Sequence, residues 1–268
     1  METFKNLIHR QEILFWFGLT NLILALVFIW LSQRMQMEVA GANAWFKPIK
    51  FALSIWIYAW TMALYLQFIP NYDARFFSWT VLLLFGFEIF YIALQAARGQ
   101  MSHFNLSSGY YHFLYMMMAF AAATVTVYTG YIGLKFWGAE TYYLPDALRW
   151  ALRYGFVLFV LFSFQGFAMG SRLAHAVGGP DGTAGIPFLG WSFTIGDLRI
   201  AHFAGMHALQ ILPLLVWLGV RDSRWISVVA LVYFFVAVFV WVQAAKGISF
   251  LHPEKVLNAR KAIQTEPQ

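Results

Sequence analysis

Apolar residues along this chain come in long runs, not in alternation. The runs cover roughly residues 13–33, 50–69, 76–97, 111–136, 149–171, 200–219 and 225–247. Each run supplies about the 20 apolar residues that a helix needs to cross a bilayer. In lipid only helices and closed barrels satisfy the backbone, and these runs are far longer than barrel strands. The pattern therefore predicts an all-α fold: a polytopic transmembrane bundle of seven helices, with residues 1–268 forming one integral membrane domain. Pro70-Asn71, Pro145-Asp146 and Arg221-Asp222 mark short turns. The longest connection, GGPDGTAGIPFLG at 178–190, reads as a loop, a re-entrant segment or a flexible lid.

Composition agrees with this picture. The 268 residues are 61% hydrophobic and only 11% charged, where soluble domains carry roughly 25% charged residues. One soluble core could not hide so much apolar surface, so the surplus faces lipid. There are no cysteines, which removes disulfides, thiolate metal sites and thiol nucleophiles. The net charge of +6 fits Lys and Arg at helix ends, and no motif points to nucleic acid. VAGANA contains a cleavage-like A-x-A, but the apolar run from Ile13 to Leu31 is longer than a signal h-region of roughly 7–15 residues.

Seven spans put the two termini on opposite sides. The N-terminal side is called side A here and the other side B. Lys and Arg divide almost evenly between them, because Lys47, Lys50, Arg98, Arg172, Arg199 and Lys246 all sit at side-B helix ends. With those six assigned to a site, the remaining charges favour a cytoplasmic side A, as in a bacterial inner membrane. QAARGQ (95–100) is echoed by QAAKGI (243–248), and Arg98, Arg172 and Lys246 are evenly spaced. Such spacing arises either from a hairpin repeat or from hairpins of similar length with basic ends.

The unusual polar residues gather on side B. Glu88, Tyr91, Gln95 and Arg98 share one face of span three, and Glu88 is a carboxyl deep in a span, a functional candidate by default. GDLRIAHFAGMHALQ (196–210) opens span six. There Arg199, His202, Phe203, Met206 and Gln210 share a face. His207, five residues after His202, is turned away from it. Asp197 stands where a helix N-cap belongs. The expected roles are His112, His202 and His103 as metal or haem ligands, and Glu88 and His207 in proton transfer. Arg98, Arg199, Lys50, Lys246 and Gln95 would hold a cofactor or an anionic ligand. The opposite wall of the pocket is expected to be Glu88, Gln95 and Arg98. His175 and His252 at the membrane edge are weaker candidates, and His9 lies on side A.

HExxH, Walker A, GxGxxG and GxSxG are all absent. Val242 stands four residues before Lys246, where microbial opsins carry an acid. The HxxxxH of span six is not the HxxxH of the seven-helix zinc hydrolases. Three readings remain. The leading expectation is a membrane-embedded redox enzyme using haem or a His-bound transition metal. The second is a proton-coupled transporter or channel for a small anion. The third is a non-catalytic lipid-binding or assembly factor.

Overall fold

A computed structural model describes residues 11–251 of the chain. His9, His252 and Glu254 lie outside the described residues. The helices are α1 (Glu12–Arg34), α2 (Phe46–Leu66), α3 (Arg75–Ala97), α4 (Gly109–Lys135), α5 (Asp146–Gln165), α6 (Phe167–Arg172), α7 (Leu198–Trp217) and α8 (Ser223–Ala245). The short α6 continues α5, and together they form one span, Asp146–Arg172. Seven spans of the described residues are long and apolar enough to cross a membrane. Their outer surfaces carry exposed Leu83, Phe90, Phe120, Val127, Leu231 and Phe239, the surface that lipid covers. The protein is a multi-pass membrane protein of seven helices.

Two helix groups make up the bundle. α1 packs against α2, and α3 touches both; α4 bridges α3 to α5. On the other side α5 packs tightly on α7, with α8 against both. Water gives no drive for helices to associate inside lipid, so close packing of small residues does the work. At Gly155 an added Cβ would lie 3.1 Å from the Leu209 backbone, and at Gly205 it would lie 1.9 Å from the Phe162 ring. Ala151, Ala201 and Ala208 complete that close seam.

Three of the four odd-numbered spans that end on side B end alike. Gly99 N–H bonds to Ala96 O and Gln100 N–H to Gln95 O after α3. Gly247 N–H bonds to Ala244 O and Ile248 N–H to Gln243 O after α8. Leu173 and Ala174 N–H do the same to Gly170 O and Met169 O after α6. This is the Schellman end, with a left-handed residue just past the helix: Gly99 (φ 64°), Leu173 (φ 51°) and Gly247 (φ 70°). Arg98, Arg172 and Lys246 immediately precede it, at the negative pole of each helix. Gln95 and Gln243 reach round to the carbonyls of Met101 (3.3 Å) and Ser249 (2.9 Å). The sequence echo is thus a repeated helix ending.

Pro213 lies inside α7. It has no N–H, so the carbonyl four residues back, that of Leu209, loses its helical partner. The Tyr65 hydroxyl donates to that carbonyl at 2.8 Å, and Tyr65 is buried. One turn away, Gln210 Nε2 donates to Thr61 Oγ1 at 3.3 Å. These two bonds fasten α2 to α7 in the half of the bundle nearer side A. Tyr65, Phe68, Phe77, Phe136 and Phe156 pack around them in the largest core cluster.

Tyr65→Phe should therefore destabilise the protein by about 1–3 kcal/mol, the cost of a buried acceptor left without a donor. In a Pro213→Ala background the cost should shrink towards zero, because residue 213 then supplies its own N–H. Thermal unfolding of the four proteins in detergent measures the coupling. Equal costs in both backgrounds would mean that Tyr65 does not serve this carbonyl.

Candidate functional site

Thr61 and Gln210 face each other, and this fixes what faces what higher up. Two turns towards side B, about 10.5 Å along each axis, the equivalent positions are Ser54 on α2 and Phe203 on α7. Both are exposed, although they stand on the inward-facing sides of their helices. α2 and α7 are joined in their side-A half by Tyr65 and Gln210. Lys47 and Lys50 near the start of α2, and Arg199 in the first turn of α7, stand at the side-B mouth of the pair.

A hairpin roofs this mouth. Ala176–Val177 pairs antiparallel with Gly196–Asp197, and Gly185 bridges to Ser192. Ile186 N–H bonds to Trp191 O, and Thr183 Oγ1 lies 2.9 Å from Ser192 Oγ. The Gly-rich segment is therefore a folded hairpin, not the loose lid its composition suggests. Lys50 Nζ donates to Leu189 O at 3.1 Å and lies 5.8 Å from the centre of the Phe188 ring. Arg199 donates to Gly190 O. Both lysine and arginine thus touch the roof directly.

Asp197 is the N-cap of α7, accepting from Arg199 N–H at 3.1 Å. It also accepts from the Arg199 guanidinium at 2.9 and 2.6 Å and from Ser192 N–H at 3.1 Å. The capping reading of Asp197 holds, and Arg199 is its ion-pair partner. Asp181 accepts from the backbone N–H of His175 (3.0 Å) and Ala176 (2.8 Å) and lies 2.8 Å from His175 Nδ1. Burial works to raise the Asp181 carboxyl, but the His175 side chain and these backbone donors outweigh it and hold it well below the usual carboxylate range. Burial pushes His103 well below the usual imidazole range, helped by Lys47 and His175 nearby.

The histidines expected as ligands do not converge. His112 is exposed on the first turn of α4. His202 Nδ1 lies 2.6 Å from Phe162 O. That carbonyl is free because Gly166 N–H turns to Ser163 O where α5 gives way to α6. His103 Nδ1 faces Ser102 Oγ at 3.2 Å, with its ring among Phe51, Phe104 and Tyr115. His207 stacks beside Phe203 with ring centres 4.3 Å apart. Among the described residues no three His, Asp or Glu side chains group as metal ligands do. His202 meets a carbonyl of α5, while His103 and His207 pack against aromatic neighbours.

The helix hydrogen-bonded to α7 is α2, through Tyr65 and Thr61. Arg98 and Lys246 are exposed helix ends. Gln95 is buried, its Nε2 3.3 Å from Tyr91 Oη, and braces the turn after α3. Glu88 is buried, and its Oε1 has no hydrogen-bond partner. It lies about one turn nearer side B than Phe85, whose ring packs against Tyr58 of α2. Ser54, Thr61 and Tyr65 were missed in the sequence. The signal available was their spacing: Lys47, Ser54 and Thr61 recur every seven residues on one helix face. A separate hollow of about 510 Å³ lies at the side-A end, between Gln11–Ile13 and Asn71–Ser78. Its ion pair, Asp73 with Arg75, is solvated, and no unpaired buried charge opens on it.

Fold and site together define a seven-span integral membrane protein with basic residues gathered beneath a hairpin at one end. In comparison with known proteins, the chain matches no family model, no curated protein and no solved structure.

Asp181→Asn should loosen the hairpin by about 1.5–3 kcal/mol, the worth of hydrogen bonds to a charged group. The readout is faster hydrogen exchange at the amides of His175 and Ala176. Because the folded carboxyl titrates below its free value, near 3.9, its contribution is complete at neutral pH. It is lost only as pH falls below the usual carboxylate range. Loss of amide protection between pH 8 and 6 in the wild type would contradict this.

Proposed function

We propose that the protein is a proton-coupled carrier for a small anion, with the side-B mouth of the α2–α7 pair as its binding chamber. The observation that supports this reading is the pairing of α2 with α7: cationic at its side-B end, with Lys47, Lys50 and Arg199, and tied by Tyr65, Gln210 and the aromatic cluster nearer side A. Glu88 is the proton site of this reading. A carboxyl enclosed by apolar helices is costly when ionised, and its unpartnered oxygen leaves it free to exchange a proton as the chamber fills and empties. Lys47, Lys50 and Arg199 attract the anion to the mouth.

This reading is favoured over a haem or metal redox enzyme. The redox reading asked for His112, His202 and His103 as ligands; among the described residues no three His, Asp or Glu side chains group as metal ligands do, and His202 and His103 have polar partners of their own. Lipid binding without chemistry gives no role to a buried carboxyl.

Protein reconstituted in liposomes should take up small anions when a proton gradient is imposed. Glu88→Gln should lower that uptake at least tenfold and abolish its dependence on the gradient. Uptake by Glu88→Gln at the wild-type rate removes Glu88 from the mechanism. A Soret band or stoichiometric metal in the purified protein would return the reading to a redox enzyme.

A further inference from the structure

The six cations that crowd side B separate by the helix pole they occupy. Arg98, Arg172 and Lys246 sit at helix carboxyl ends, where the backbone dipole is negative and welcomes a cation. Lys47, Lys50 and Arg199 sit in the first turns of α2 and α7, where the dipole is positive and opposes one. Basic residues at that pole call for a compensating anion.

Arg199 has one, because Asp197 binds it with both carboxylate oxygens. The two lysines do not. Lys47 is half-buried and makes no hydrogen bond or ion pair among the described residues, and it stands three residues before Lys50 on the same helix. Lys50 feels Arg199 and Asp197, and the hydrogen bond it makes is to the neutral carbonyl of Leu189. Neither nearby carboxylate is free to serve them. Asp197 is committed to Arg199 and Ser192, and Asp181 to the donors of residues 175 and 176. No side chain caps the amino end of α2. Of the remaining titratable neighbours, His103 and His175 are held below the usual imidazole range by burial. Neither adds an anion, and at neutral pH neither adds charge.

We infer that the first turn of α2, with Lys47 and Lys50 beneath the 176–197 hairpin, binds an oxyanion of the phosphate class: inorganic phosphate or a phosphate monoester. Two ammonium groups one turn apart, above the open amino end of a helix, present many donors to one small centre. A tetrahedral oxyanion with several acceptor oxygens and one to two charges matches that set. A dicarboxylate carries its charges too far apart, and chloride leaves most of the donors unused. This names the cargo of the carrier proposed above and rests on that reading only for the assignment as cargo.

The test uses full-length protein in phosphate-free detergent and equilibrium dialysis with radiolabelled inorganic phosphate. Wild type should bind about one phosphate per chain. Sulfate should compete, while chloride and succinate should compete at least tenfold less well. Lys47→Gln and Lys50→Gln should each weaken binding at least tenfold. Arg172→Gln, at an exposed helix end, should leave it unchanged. Lys47→Arg, which keeps the charge, should retain most of the binding, separating loss of the site from loss of the fold. Equal competition by chloride or succinate, or wild-type binding by Lys47→Gln, overturns the proposal.

Nanodiscs with and without phosphatidic acid identify the source of the group. Displacement of phosphate by that lipid assigns the site to a headgroup, and indifference to it assigns the site to a soluble phosphate. Glu88→Gln should still bind phosphate. Binding with no uptake under any proton gradient keeps this site and removes the carrier. Uptake of other anions with no phosphate binding keeps the carrier and removes this site.

Discussion

The bond from Tyr65 to the carbonyl of Leu209 decides where the two halves of the bundle meet. It exists because Pro213 cannot donate a hydrogen bond inside α7. In lipid an unanswered carbonyl has no water to turn to, so a partner must come from another helix. Tyr65 supplies it, and Gln210 with Thr61 adds a second tie one turn away. Both ties lie in the lower half of α2 and α7. At the side-B ends the two helices instead bond to neighbouring carbonyls of the hairpin, Lys50 to Leu189 and Arg199 to Gly190. The same device recurs between α5 and α7. There a carbonyl released at Gly166 is met by His202, and a histidine with the look of a ligand becomes a brace.

Charge placement on side B follows a second rule, set by helix direction. Odd spans end there and even spans begin there, so the same face carries both negative and positive helix poles. The Schellman ends of α3, α6 and α8 carry their basic residues where the dipole favours them. The amino ends of α2 and α7 carry theirs against it. One is neutralised by Asp197 within its own turn. The pair on α2 is left to the hairpin's neutral carbonyl and to whatever binds beneath it. A ring of equivalent cations thus resolves into three structural residues, one ion-paired residue and two open ones.

The hairpin over the mouth owes its order to Asp181 and Asp197. Each gathers backbone N–H donors that a turn would otherwise leave unpaired, and each does so at one end of the segment. Gly and Pro give that segment its turns. The carboxylates give it a fixed position above Lys47 and Lys50.

By itself the sequence determined the seven spans, their alternation and the Asp197 cap. Each depends on residues near one another in the chain: an apolar run, a turn, a cap beside its helix. It also showed that polar residues collect on side B, since alternation assigns every helix end to a side. Which of them meet was decided by tertiary structure. Helical phase puts Glu88, Gln95 and Arg98 on one face, but what that face looks at depends on the order of helices in the bundle. The hydrogen bonds to α7 come from Thr61 and Tyr65 of α2. The histidines were legible as a group at one depth and not as a ligand set, because convergence requires side chains on different helices to point at one spot. Periodicity fixes the direction of a side chain relative to its own helix. Only packing fixes the direction of that helix relative to the others.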